Sequence, residues 1–313
     1  MSQEEDRIRQ LYEIAKLYYE DKLSQYEISK IFKVSKATIS RCLSEAEDKN
    51  IVQMKVVDIL GTTKRIEKEL ENKYKFKKAI VSYASSDDIN VIKKSIGKEA
   101  AMYITDLIKE NQSIGIAWGT TLLEMINSLQ PKNFQNLSVV ELIGSIGHIS
   151  VKFDASELAR KFAENFGAQR LILQSPAFVN SIQMKNLISS EINIQKVLEM
   201  GKEVNIAIVG IGEVNQNSLI YQALNFSESE INEILNSPAV GDICFNFFDI
   251  DGNKCNFSFD DKIIGIKMND FKKINYRIGI AGGVNKISAI KGAINKSIIN
   301  VLITDKHTAS RLL

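Results

Sequence analysis

The sequence predicts an α/β protein: an N-terminal helix-turn-helix (winged-helix-like) domain followed by a doubly wound α/β domain. Three observations predict it. Residues 1–50 show helical periodicity, two helix-capping patterns and no proline. From about residue 78, seven short β-rich runs alternate with helical stretches. The chain has 313 residues, 44% hydrophobic and 25% charged, enough to bury the cores of one large domain or two smaller ones and too apolar for general disorder.

The elements follow in order. Residues 7–19 place Ile8, Leu11, Ile14, Ala15, Leu17 and Tyr18 at three- and four-residue spacings, an amphipathic helix. Ser24 and Glu27 form a capping-box pattern ahead of a helix over 25–32, and Ser35 caps the next, to about Asp48. Residues 51–57 (IVQMKVV) read as a short strand, either a wing or a tether to the linker. A polar joint, Asp58 to Lys64, contains the turn-former Gly61, and a helix with alternating charge follows over 64–74. The expected division is a helix-turn-helix domain over 1–58 and an α/β domain over 59–313, with a linker over 59–76.

The β-rich runs are 79–83, 113–117, 138–142, 170–174, 204–210, 277–281 and 299–304. Several are apolar at successive positions and bounded by Gly or Pro, the pattern of parallel strands buried on both faces. No apolar run approaches the ~18 residues of a membrane span, and residues 1–10 are polar and acidic, so neither anchor nor signal peptide is expected. Three cysteines, Cys42, Cys244 and Cys255, form no CxxC pair or disulfide framework. A cytoplasmic protein is expected.

Charge locates the first site. The chain carries 40 Lys+Arg against 38 Asp+Glu, a net +2, which excludes a generally basic nucleic-acid coat. Residues 1–58 hold 10 basic and 11 acidic residues, yet Ile28–Ser44 has four basic residues (Lys30, Lys33, Lys36, Arg41) and no acid. Basic charge is thus concentrated on the two capped helices, where Ile28, Phe32, Val34, Ile39 and Cys42 supply a shared buried face. In a helix-turn-helix the second helix enters the major groove. The expected DNA contacts are Lys30, Ser35, Lys36, Ala37, Thr38, Ser40 and Arg41, with Arg41 suited to a guanine edge and the lysines to phosphates. The turn position that often holds Gly is Lys33, so modest strain is expected there.

The second site is read from four turn patterns beyond predicted strands: Gly115–Leu122 (GIAWGTTL), Gly144–Gly147 (GSIG), Val240–Ile243 (VGDI) and Ala281–Lys286 (AGGVNK). Backbone amides and hydroxyls at a helix start favour an anion, and Lys286 in a first turn opposes the helix dipole unless an anion sits beside it. Ligands of open α/β sheets lie beyond the carboxyl ends of the strands. The candidate ligand-binding residues are Gly119, Thr120, Thr121, Gly144, Ser145, Asp242 and Lys286.

The chain resembles the SorC-type sugar-responsive transcription regulators, the group that includes the deoxyribonucleoside and central glycolytic gene regulators. The resemblance spans nearly the whole chain and rests on residues 17–46, on GIAWGTTL at 115–122, on AVGDICFNFFDIDG at 239–252, and on IAGGVNKISAIKGAI at 280–294 with INVLITDKHTA at 299–309. It implies a sugar-phosphate-isomerase-like effector domain, a homotetramer, and an operator-binding regulator, read here as a repressor of a carbohydrate or nucleoside operon. It further implies that Thr120, Thr121 and Lys286 hold an effector phosphate and Asp242 its hydroxyls. Two departures stand out: the usual glycine pair after the strand ending at Leu142 is Gly144-Ser145, and Ile143 precedes it where a lysine would permit covalent capture of a sugar aldehyde. A non-covalently held phosphorylated sugar is therefore expected.

The alternative is a sugar-phosphate isomerase or deaminase with an accessory helical domain. Its general base would come from Asp242, Asp249, Asp251 or His148, none of which belongs to an acid/base pair in sequence. The two histidines, His148 and His307, read as surface or structural residues. No ligand spacing suggests a metal, and neither catalysis nor a cofactor is expected.

Overall fold

A computed structural model describes residues 3–49, 51–52, 61–147, 153–216, 218, 220–221 and 226–313. The chain forms two compact units, residues 1–59 and 60–313.

The first unit contains α1 (Gln3–Tyr19), α2 (Gln25–Phe32) and α3 (Lys36–Asp48). Ser24 caps α2 in a complete capping box: its hydroxyl accepts from Glu27 N–H at 3.3 Å, and the Glu27 carboxylate accepts from Ser24 N–H at 2.8 Å. Ser35 caps α3 by accepting from Thr38 N–H at 3.1 Å. Lys33 ends α2 in the left-handed region (φ 53°, ψ 41°), and its N–H bonds Ser29 O, a conformation that costs a residue with a Cβ ~1 kcal/mol. Leu11, Ile14, Ile28, Ile39, Cys42, Leu43 and Ala46 are buried together, with Phe32 and Val34 packed against them. An Arg7–Glu45 ion pair joins α1 to α3. Of the run expected to be a strand, Ile51 and Val52 form a bend and the rest lies outside the described residues.

The second unit is built on a parallel sheet of β1 (Lys78–Ser82), β2 (Ser113–Ile116), β3 (Ser138–Glu141), β4 (Gln169–Leu171), β5 (Ile206–Gly210), β9 (Tyr276–Ile280) and β10 (Val301–Asp305). Their spatial order is β1-β10-β9-β5-β2-β3-β4, and all six adjacent pairs are parallel. Each of the seven β-rich runs supplies one strand. Alternate residues serve opposite layers: Ile206 and Ile208 join one core, Ala207 and Val209 the other. The first core takes in α5 (Ile89–Leu107), α6 (Thr120–Asn127) and α7 (Ala155–Phe166). The second takes in α4 (Thr62–Tyr74), α9 (Ile192–Lys202), α12 (Ile287–Ile294) and α13 (Lys306–Leu312). Helix α8 (Ile182–Ser190) precedes α9, and α10 (Glu228–Leu235) and the single turn α11 (Met268–Phe271) complete the set.

A second sheet holds β6 (Gly212–Glu213), β7 (Ala239–Ile243) and β8 (Asn246–Asp249), antiparallel in the order β6-β7-β8. Val240–Ile243 is therefore strand, not the turn its Gly-Asp pair suggests. Gly241 serves close packing: a Cβ there would lie 2.7 Å from the Ala289 side chain and 2.7 Å from Gly212 O. The β7–β8 hairpin turns through Cys244 (φ 50°) and Phe245 (φ 58°), two left-handed residues with side chains. Asp242 accepts from Phe245 N–H at 3.1 Å, and Asn246 Nδ2 donates to Ile243 O, Cys244 O and Ile266 O at 3.0 Å each, which holds the strained turn.

Candidate functional site

The first unit exposes one face of α3. Ser35, Lys36, Ala37, Thr38, Ser40 and Arg41 are all exposed, while Ile39 among them and Cys42 after them are buried in the core. Lys30, on α2, is exposed too, its ammonium 4.4 Å from the centre of the Tyr26 ring. Capping by Ser35, an Ser35–Thr38 hydroxyl contact of 2.9 Å and burial of Ile39 fix the rotation of α3, so this basic face is preorganised.

The second unit holds a cavity of about 610 Å³, within the usual range for small-molecule sites. It lies beyond the carboxyl ends of β2, β5, β9 and β10, lined there by Trp118 to Thr121, Gly210, Gly282 to Lys286, and Asp305. Strand β7 adds Asp242 and β6 adds Glu213. Gly119 precedes α6 and offers no capping side chain, so the first-turn amides of α6 suit an anion. Across the cavity, Gly283 takes φ 98°. Its N–H donates to Asp305 Oδ2 and Thr308 Oγ1, each at 2.9 Å, and Asp305 Oδ1 accepts from Thr308 N–H at 2.9 Å. Asp305 and Thr308, both wholly buried, thus set the loop that carries Lys286.

Two opposite charges are sunk in this cavity. Asp242 is buried, and burial pushes its carboxyl up to about 6, against the opposing pull of the Phe245 N–H and the Lys286 charge. Burial lowers the Lys286 ammonium, Glu213 and Asp242 raise it, and Lys93 lowers it again. Lys286 Nζ donates to Ile211 O at 2.6 Å. Gly212 leaves room for the acid: a Cβ there would sit 1.9 Å from Asp242 Oδ1. Trp118 stacks between Phe245, 5.5 Å away, and Phe153, 6.3 Å away, as an aromatic wall. Desolvated charges beside open space are the arrangement expected where a polar ligand replaces water.

Gly119, Thr120, Thr121, Asp242 and Lys286 are brought together in this cavity. Gly144 and Ser145 are not among its lining residues. A Cβ on Gly144 would lie 2.6 Å from the Pro176 carbonyl, so that glycine admits a neighbouring chain segment. Ser145 instead bonds Asp154, Oγ to Oδ2 at 3.1 Å. Lys286 closes a 3-10 turn, Val284–Lys286, immediately before α12 rather than sitting inside that helix. Sequence reasoning missed Lys93 on α5, Glu213 on β6 and Arg311 on α13, which also line the cavity. They sit on separate elements without a local motif, and only the fold assembles them. His307 lies at the rim, 3.7 Å from Asp87; His148 falls outside the described residues. Asp249 accepts from Asp251 N–H and Asn253 N–H at 3.0 and 2.8 Å, a turn-stabilising role. Among the described residues, no group of three or more His, Cys, Asp or Glu is placed to hold a metal, and no helix is long and apolar enough to cross a membrane.

A parallel sheet with a cavity of mixed charge beyond its carboxyl ends defines a small-molecule-binding α/β domain. The chain belongs to the family described as "Putative sugar-binding domain", whose pattern matches residues 58–313. It is 34% identical over 301 residues to the deoxyribonucleoside regulator of Bacillus subtilis, covering 96% of each chain. It is 29% identical over 317 residues to the sorbitol operon regulator of Klebsiella pneumoniae, covering 98% of each. The crystal structure of the full-length K. pneumoniae sorbitol operon regulator SorC superposes with a TM-score of 0.80 at 26% identity, over 97% of this chain and 98% of that one.

Proposed function

We propose that this protein is a transcription regulator whose operator affinity is set by a phosphorylated sugar held non-covalently in the cavity of the second unit. The observation that carries the reading is the pair Asp242 and Lys286: opposite charges on different elements, both penalised by burial, facing one cavity. A phosphate takes the place of water beside Lys286 and the α6 N-terminus, with Thr120 and Thr121 supplying hydroxyls. The Asp242 carboxylate accepts from sugar hydroxyls. Ile143 stands where covalent capture would need an amine, and its side chain is buried. The relatives named for sorbitol and deoxyribonucleoside control support the sugar class and a regulator rather than an enzyme.

In this reading residues 1–58 are a helix-turn-helix domain that places α3 in the major groove, with Arg41 reading a base edge and Lys30 and Lys36 on phosphates. Residues 59–313 form the isomerase-like effector and oligomerisation domain. The protein is a cytoplasmic homotetramer and a repressor, and effector binding shifts its population between an operator-matched and a mismatched arrangement. The test uses Trp118, the sole tryptophan of the chain and a wall of the cavity. Its emission is titrated with 2-deoxyribose 5-phosphate, sorbitol 6-phosphate, glucose 6-phosphate and the unphosphorylated sugars. Saturable change with a phosphorylated compound only, lost in Lys286→Met, is expected; no response to any of them overturns the effector reading.

A further inference from the structure

The cavity and the start of the second unit share a short mechanical connection. Helix α13 touches the cavity from one side: its N-cap Asp305 and its residues His307 and Arg311 are lining residues. Asp305 also grips the Gly283 loop through the buried hydrogen bonds to Gly283 N–H and Thr308. On its other side Ala309 and Leu312 are buried in the core cluster that contains Ile66 and Leu70 of α4. At its far end, Lys73 Nζ donates to Leu312 O at 3.0 Å and to Leu313 O at 2.6 Å, and the Tyr74 hydroxyl donates to Leu312 O. These donors are the last two residues of α4.

Helix α4 is in turn strapped to the edge strand β1 at its middle. Glu67 accepts from Val81 N–H at 3.0 Å, and Glu71 from Ala79 N–H at 3.0 Å and Lys78 Nζ at 2.8 Å. The two carboxylates are one helical turn apart and hold α4 near its centre. One end of α4 is therefore bonded to α13, and the other, Thr62, is the end that lies nearer the first unit in sequence.

We infer that α13 couples the cavity to α4, with Lys73 and Tyr74 as the positioning residues of that joint. A ligand that displaces the Gly283 loop or draws in Arg311 moves α13 as a body, because Asp305, Thr308, Ala309 and Leu312 are all close-packed and a packed core shifts in discrete steps rather than deforming. The acceptor oxygens of Leu312 and Leu313 then pull the end of α4, which swings about its attachment to β1. The opposite end of α4, at Thr62, moves with it. The inference rests on the effector reading above.

The experiment compares full-length wild type with Lys73→Ala/Tyr74→Phe, and with Tyr74→Phe alone, which removes only a hydroxyl should the double variant not fold. Three quantities are measured: probe affinity from Trp118 emission, operator affinity without probe, and the ratio of operator affinities with and without probe. The probe is whichever of 2-deoxyribose 5-phosphate, sorbitol 6-phosphate or glucose 6-phosphate moves wild-type Trp118 emission. Expected in the double variant are probe and operator affinities within about threefold of wild type, with the ratio, about 5- to 150-fold for typical coupled sites, collapsing to within about threefold of unity. Tyr74→Phe alone should show a partial loss. In wild type, hydrogen exchange across residues 62–74 should change on adding probe. An unchanged ratio in the variants, or no exchange change in α4, overturns the joint while leaving the effector reading standing. If no probe moves Trp118 emission or operator affinity in wild type, the effector reading itself falls and takes the joint with it.

Discussion

Replacing Asp242 by Asn should stabilise the empty protein while disabling its response. The carboxyl is buried and its pKa stands at about 6 against an ordinary 3.8. At about 1.36 kcal/mol per pH unit, that displacement makes ionised Asp242 destabilising by roughly 3 kcal/mol. The folded state holds its proton at pH values where the unfolded chain has released it, so stability falls as pH rises from about 4 to 6 and is level above. Asn keeps the shape and can still accept from Phe245 N–H, but carries no charge. The stability gain in Asp242→Asn should therefore be about 0.5 kcal/mol at pH 4, roughly half-developed at pH 5 and full, up to about 3 kcal/mol, at pH 7.5. Urea unfolding of both proteins at these pH values measures it, since other titrating groups cancel in the difference. Trp118 emission should at the same time lose its response to phosphorylated sugars. A variant less stable than wild type at pH 7.5, or a gain independent of pH, would refute burial of an ionised Asp242 as the origin of the strain.

Other outcomes follow from single side chains. Arg41→Ala should weaken operator binding by ~1–3 kcal/mol and relax discrimination at one base pair, without altering probe-induced Trp118 changes; a lost probe response would contradict separate sites. Lys286→Met should retain operator affinity in electrophoretic shift assays yet abolish release or recruitment by the sugar phosphate. Lys33→Gly should raise the stability of the first unit by up to ~1 kcal/mol, since φ 53° costs lysine what it does not cost glycine; a fall in stability would place the strain elsewhere. Gly241→Val should destabilise the second unit by at least ~1–3 kcal/mol through collision with Ala289 and the Gly212 carbonyl, read from denaturant midpoints.

The large sheet was legible because both its faces are buried. A central strand must be apolar at successive positions, as Ile206, Ala207, Ile208 and Val209 are, and such runs contrast with the amphipathic helices around them, whereas the edge strand β4 is only partly buried. The caps at Ser24 and Ser35 were equally readable, since a serine hydroxyl satisfies a helix-start amide by local geometry alone, joined at Ser24 by the Glu27 carboxylate three residues on. The small sheet was not. In β7 a glycine needed for clearance of Ala289 imitates a turn, while the real turn, Cys244-Phe245, contains neither Gly nor Asn and is held by the side chains of the flanking Asp242 and Asn246. Gly144 was ambiguous in the same manner, because a glycine that admits a ligand and one that admits Pro176 look alike in one dimension. Of the cavity, the residues at strand ends could be located from turn patterns. Lys93, Glu213 and Arg311 could not, since each lies on a different element and their convergence is a property of the topology.

The most direct measurement is fluorescence anisotropy of the full-length protein on labelled DNA from upstream of its neighbouring genes, at one fixed salt concentration because phosphate contacts make affinity salt-dependent. The titration is repeated with each phosphorylated sugar and its unphosphorylated counterpart. The expected result is specific binding whose midpoint moves about fivefold or more with a phosphorylated sugar and stays still with the free sugar. Specific binding that no phosphorylated sugar moves, or turnover of one of those compounds by the protein, would contradict a regulator governed by a sugar phosphate in the Asp242–Lys286 cavity.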